Sequence, residues 1–279
     1  MKPSVRPVFL KLGGSLITDK TQPLTPRHDI IQSIAGEIAE AVHTRPDLPL
    51  IIGHGSGSFG HAVAKRYHTQ SGGEGPAYWE GFSRVWQAAR DLNQLVVQAL
   101  TAAGLPVLAF PPSAGLISED GRVKHWDLQP IKLALSHGLI PVVYGDVVFD
   151  SVLGGTILST EELFQHLARE LRPELILIAG LEAGVYVNPQ EPSAIIPLIT
   201  PDNLDEVRPA LSASQAVDVT GGMLAKVEAM VALVNEIPSI KVRIFSGQSP
   251  GRVHQALINH QAQSGTLIAH PATLENEQL

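Results

Sequence analysis

The sequence predicts an α/β protein, a three-layer αβα sandwich around a central, mainly parallel sheet. Three observations carry this. Apolar runs of strand length alternate with amphipathic helical patterns along most of the chain. Those runs are apolar nearly throughout, as strands covered on both faces are. Glycine-bearing turns follow one strand after another, at the edge where open α/β sheets bind ligands.

The first strand is Val8–Leu12, and Lys11 lies within it. Burying an unpaired ammonium is costly. Lys11 therefore points at an anion beyond the strand's end, unless the strand is an edge with a solvated lysine. Gly13-Gly14-Ser15 permits close backbone approach to a phosphate, and Lys20 follows. A helical pattern over Asp29–Val42 leads to a second strand, Leu48–Ile52. The next turn is Gly53-His54-Gly55-Ser56-Gly57-Ser58-Phe59-Gly60-His61, before a helical Ala62–His68. Glycines there let backbone N–H groups approach an anion, and the helix N-terminus adds favourable dipole charge. The stretch reads as a phosphate seat. Gly55, Gly57 and Gly60 also match the dinucleotide fingerprint, which requires a second strand and an acid about 20 residues on. Here a loop, Ser71–Pro76, intervenes, and Glu74 and Glu80 lack a preceding strand. An NAD(P)-dependent oxidoreductase is thus a minor alternative.

A long helix over Tyr78–Ala103 carries Tyr78, Trp79, Phe82, Val85 and Trp86 at partly helical spacing, a stripe that suits either packing or an apolar ligand. Strand Val107–Phe110 ends at Pro111-Pro112-Ser113. Asp127 is the expected N-cap of helix Leu128–Ser136. Strand Ile140–Tyr144 ends at Gly145-Asp146, and Val147–Thr156 reads as a hairpin. In helix Glu161–Leu171, Ser159 or Thr160 is the cap, with Glu161 in the first turn. Arg172-Pro173-Glu174 then separates an N-terminal lobe, 1–172, from a C-terminal lobe, 173–279, on one continuous sheet. Strand Leu175–Ala179 ends at Gly180. Asp218-Val219-Thr220-Gly221-Gly222 opens helix Met223–Asn235, with Lys226 one turn in, an arrangement that suits a polyphosphate or a capped helix with a surface lysine. The last strand is Val242–Phe245.

The bulk numbers exclude several classes. A net charge of −7 without a basic patch disfavours nucleic-acid and membrane-surface partners. The absence of cysteine removes disulfides, thiolate nucleophiles and thiolate metal sites. The N-terminal apolar stretch is too short for a signal or membrane span, so a cytoplasmic enzyme is expected. The histidines, including His125, His137 and His166, show no metal-ligand spacing, and no protein-held metal is expected.

Taken together, Lys11-x-Gly13-Gly14-Ser15, the glycine loop after the second strand, Gly145-Asp146 and Asp218-x-Thr220-Gly221-Gly222-Met223-x-x-Lys226 resemble the amino acid kinase superfamily over about residues 8–268. Within it, Gly57-Ser58-Phe59-Gly60-His61, Lys20 and Pro141–Asp146 are most similar to the isopentenyl phosphate kinases. The resemblance implies ATP-dependent phosphorylation of a small phosphate substrate, with ATP and Mg²⁺, by a homodimer. It implies that the N-terminal lobe binds the acceptor and the C-terminal lobe the nucleotide. Lys11, Lys20, His61, Lys226 and Glu161 would be catalytic. Lys11, Gly13, Gly14, Ser15, Gly180, Gly221, Gly222 and Lys226 would hold the nucleotide. Gly55, Ser56, Gly57, His61, Gly145 and Asp146 would seat the acceptor phosphate, with Phe82 and Trp86 along its tail. Glu161 stands where the family commonly has the aspartate of a Ser-Gly-Asp turn, and Leu181-Glu182-Ala183 replaces an Asp-Val-Asp on the nucleotide side. A fosfomycin-type phosphonate kinase is the nearest alternative, and a non-catalytic nucleotide-binding protein a more remote one.

Overall fold

The computed structural model describes residues 5–67, 69, 72–191, 193–212, 222–259 and 264–275, without the side chains of 61, 62, 212 and 275. In chain order the elements are β1 (Val8–Leu12), α1 (Gly14–Ile17), α2 (His28–Thr44), β2 (Leu50–His54), α3 (Gly57–Tyr67), α4 (Pro76–Ala102), β3 (Val107–Ala109), β4 (Leu116–Glu119), β5 (Arg122–Trp126), α5 (Gln129–Ser136), β6 (Ile140–Tyr144), β7 (Asp146–Asp150), β8 (Gly154–Leu158), α6 (Thr160–Leu171), β9 (Leu175–Gly180), β10 (Leu198–Ile199), α7 (Leu204–Ser212), α8 (Gly222–Glu236), β11 (Lys241–Ser246), α9 (Arg252–Ile258), β12 (Thr266–Ala269) and α10 (Pro271–Glu275).

Eight strands form the main sheet among the described residues, in the order β10-β12-β11-β9-β1-β2-β6-β3. All neighbours are parallel except β11 and β12. Side chains alternate across the sheet. Val8, Leu10 and Leu12 pack with α2, α4 and α9 on one face, whereas Phe9 and Ile51 pack with α6 and α8 on the other. This is the expected sandwich. β1 lies between β2 and β9, so Lys11 is central in the sheet and the edge-strand alternative falls.

Gly53 explains how α6 reaches the sheet so closely. A Cβ there would stand 2.6 Å from Thr160 and 2.7 Å from the Phe164 ring, closer than real side chains approach. Ser159 caps α6 by accepting from the Glu162 N–H at 3.2 Å, and Arg172 ends the helix in the left-handed region at φ 49°.

A second sheet, β5-β4-β7-β8, stands beside the main one. Its β7–β8 hairpin was expected; β4 and β5 were not, because Leu116–Trp126 is mostly polar and exposed, with no apolar run to mark it. β2 runs two residues further than its apolar run, since Gly53 and His54 still pair with β1 and β6. α3 begins at Gly57, which shortens the expected turn to Gly55-Ser56. Leu128 occupies the N-cap position of α5, while the Asp127 carboxylate accepts from the Gln129 N–H at 2.9 Å from one residue earlier.

Candidate active site

Two glycine turns end adjacent parallel strands, and the fold presses them backbone to backbone. A Cβ on Gly14 would strike the Gly57 nitrogen, and one on Gly55 would stand 2.9 Å from the Gly14 nitrogen. Gly57 also adopts φ +48°, which strains any other residue. Thr18 ties the pair together. Its hydroxyl donates to the Gly14 carbonyl at 2.7 Å and accepts from the Ser58 N–H at 2.9 Å. Both turns thus face one space, as anion-binding backbone concavities do.

That space is a cavity of about 710 Å³ beyond the C-terminal strand ends. Thirteen predicted residues line it: Lys11, Gly13, Gly14, Ser15, Lys20, Gly55, Ser56, Gly57, Gly145, Glu161, Gly180, Gly222 and Lys226. Gly221, Asp218 and Thr220 lie outside the described residues, as does the His61 side chain, whose backbone is in α3.

Phe9 and Lys11 share a face of β1, which aims Lys11 at α6. Its Nζ meets Glu161 Oε1 at 2.5 Å, with the side chains 6% and 10% exposed. Burial pushes the Glu161 carboxyl up, but Lys11 and Lys226 together outweigh it and hold it below its ordinary range. Because Ser159 does the capping, Glu161 is left to sit between two lysines. Lys20 is exposed on the loop after α1. Its neighbour Asp19 accepts from the Thr21 N–H and hydroxyl at 2.8 and 2.7 Å, which fixes the turn.

Three predicted residues stand back from the cavity. Asp146 begins β7 and is 1% exposed; it accepts from the Ser113 hydroxyl at 2.7 Å and from the Val147 N–H at 2.8 Å. Burial, working against those hydrogen bonds, pushes its carboxyl up to about 6. Gly145 forms the wall in front of it. Phe82 packs with Tyr78, Val85, Ala64 and Val147, and Trp86 borders that cluster. Ile157 touches both this cluster and the cavity, so the aromatics lie one side chain below the lining.

The sequence reading missed Arg27, Thr160 and Tyr186, all of which line the cavity. Arg27 carried a signal: a cation at the N-cap of α2, without a side-chain cap bond, opposes the helix dipole. Such a residue has another reason to be there. Val185, Tyr186, Leu211, Met223 and Ile244 make one end of the cavity apolar.

Comparison with known proteins adds to this geometry. The sequence pattern of the amino acid kinase family matches residues 6–246. An isopentenyl phosphate kinase of Methanothermobacter thermautotrophicus is 34% identical over 270 residues, covering 94% of this chain and 98% of that protein. One of Methanocaldococcus jannaschii is 32% identical, covering 90% and 94%. A crystal structure of an isopentenyl phosphate kinase superposes with a TM-score of 0.77 at 31% identity, covering 94% and 99%.

Proposed function

The chain belongs to the amino acid kinase family, and from that premise we propose that it transfers the γ-phosphoryl group of ATP to isopentenyl phosphate, yielding isopentenyl diphosphate. The observation that carries this reading is the direct contact of the Gly13–Ser15 and Gly55–Gly57 backbones. Two phosphate seats at that separation bring donor and acceptor together, and phosphoryl transfer depends mainly on positioning and charge neutralisation.

Each residue then has a role. Gly13, Gly14 and Ser15 cradle the nucleotide phosphates with Gly180, Gly221 and Gly222, and the apolar end holds the base. Gly55, Ser56, Gly57 and Gly145 receive the acceptor phosphate, with His61 as a further donor. Lys11 and Lys226, aligned by Glu161, and Lys20 from the opposite loop neutralise charge on the group in flight. The acceptor is largely dianionic at neutral pH and needs no base to activate it. Phe82 and Trp86 shape the apolar floor through Ile157.

Magnesium fits this cavity as a companion of the nucleotide. Mg²⁺ keeps several waters and binds largely through substrate phosphates; the Ser15 and Ser159 hydroxyls in the lining would hold its waters, while Glu161 stays with Lys11. When bound, it neutralises charge on the transferring group. A cytoplasmic homodimer belongs to the same reading; no helix among the described residues is long and apolar enough to cross a membrane.

The test is turnover of Mg-ATP with isopentenyl phosphate, read as ADP release and as diphosphate product, beside a small phosphonate. Turnover of the phosphonate alone overturns the assignment of acceptor.

A further inference from the structure

His54, at the end of β2, has no part in the reaction as described, yet five contacts converge on it. It is fully buried on the α4 side of the sheet. Its ring stacks on Tyr144, its register partner in β6, at 5.4 Å and 7°. Its carbonyl accepts from the Thr160 hydroxyl at 2.6 Å and the Gly145 N–H at 3.2 Å. Its Nδ1 lies 3.2 Å from the Gly55 carbonyl oxygen, and its Nε2 3.2 Å from Asn93 Oδ1. Asn93 is a buried amide on the face of α4 otherwise occupied by Leu92, Ala89 and Val96.

As placed, both ring nitrogens face oxygen. A neutral imidazole donates only once, and an imidazolium is disfavoured here by burial and by Lys11. One contact must be turned around. The Gly55 carbonyl cannot be, whereas the oxygen and nitrogen of an amide exchange by a half-turn about its side-chain bond. Nδ1 therefore carries the proton and donates to Gly55, and Asn93 donates its N–H to Nε2. The 55–56 peptide is trans, so fixing the Gly55 carbonyl toward the ring turns the Ser56 N–H the opposite way.

We propose that His54 is a positioning residue for the acceptor seat: held in its Nδ1–H form by Asn93, it locks the Gly55–Ser56 peptide so that the Ser56 N–H meets the acceptor phosphate. This rests on the acceptor assignment above. A core histidine that merely fills space would make no demand on which nitrogen donates.

Two measurements test it. In wild-type protein labelled with ¹⁵N-histidine, with His54 assigned by its loss in His54→Asn, the expected result at neutral pH is a protonated Nδ1 and a bare Nε2. A protonated Nε2, with or without Nδ1, overturns the proposal. The second measurement is kinetic. Asn at position 54 puts an amide N–H where Nδ1 was, and Gln puts one where Nε2 was. His54→Gln should raise the KM for isopentenyl phosphate about tenfold, the worth of one buried hydrogen bond, with the KM for ATP within about twofold. His54→Asn should stay within about threefold for both. Equal effects of the two variants, or a fall in kcat with both KM values unchanged, overturn the proposal. If neither variant folds, His54 is assigned instead by its nuclear Overhauser contact with the stacked Tyr144 ring, and the wild-type spectrum decides. Absence of wild-type turnover would instead refute the functional reading and leave the spectrum to judge the peptide lock.

Discussion

Glu161→Gln isolates the charge that holds the buried Lys11 and the half-buried Lys226. The substitution keeps the shape and one acceptor oxygen but removes the negative charge 2.5 Å from Lys11. Both side chains are at least nine-tenths buried, so little solvent screening discounts the pair. Removing one partner of a buried pair costs about 3–5 kcal/mol. The surviving Gln–Lys hydrogen bond puts this case near 3 kcal/mol, or roughly 6–12 °C in melting temperature for a domain of this size. The carboxyl is held below its ordinary value of 4.5. Its contribution is therefore full above about 4.5 and is lost as pH falls through the lower folded value. The gap between wild type and variant should narrow on acidification. With the internal counter-charge gone, ATP becomes the partner of both lysines, so its thermal shift at equal concentration should be larger in the variant. Misaligned lysines should lower kcat about 100-fold. Differential scanning calorimetry across pH, with and without ATP, and steady-state kinetics check all of this. A variant that melts within about 2 °C of wild type and keeps its kcat refutes the organising role of Glu161.

Other outcomes follow from the same geometry. Asp146 has its carboxyl pushed up to about 6 from 3.8, so its ionisation costs stability as pH rises through that range, about 3 kcal/mol in all. Asp146→Asn should melt higher than wild type above pH 6 and equal to it below about pH 4, read by thermal denaturation. Gly14→Ala drives a methyl into the Gly57 backbone; it should cost about 2–3 kcal/mol and weaken both substrates together, measured by calorimetric titration. Lys20 is exposed, so Lys20→Ala should leave stability within about 0.5 kcal/mol while lowering kcat about 100-fold or more, checked by denaturant melts and single-turnover kinetics.

The legible parts of the fold were those where one local signal sufficed. β6 and β9 are apolar runs, β1 is one broken only by Lys11, and α2, α4 and α6 carry clean amphipathic periods. The cavity was legible because its glycines mark turns and its lysines interrupt apolar context. What escaped is partly local and partly distant. β4 and β5 form a tight hairpin around Asp120-Gly121, a turn signal without the apolar runs that would have flagged its strands. Only its anchor is distant: Asp150, some thirty residues on, accepts from Ser118, Asp120 and Gly121. His54 looked like one more member of a glycine loop, although its period-2 phase with Leu50 and Ile52 already pointed it into the core. Asp146 read as a site residue because it follows Gly145, but the start of β7 turns its carboxylate back to Ser113.

The same placements bear on why the acceptor is a phosphate and not an alcohol. An alcohol must lose its proton during transfer, and a positioned base takes it. Among the described side chains, which do not include those of His61 and Asp218, the acids and imidazole around the cavity are committed elsewhere. Glu161 is bound by Lys11, Asp19 by Thr21, Asp146 lies behind Gly145 with Ser113, and both His54 nitrogens are engaged. Glu182 lies exposed beside Gly180, away from the Gly55 turn that ends the neighbouring side of β1. A phosphate monoester arrives already deprotonated and asks only for N–H groups and cations. Those are what the paired turns and the lysines supply, so the chemistry of the lining and the contact between the two backbones select the same acceptor.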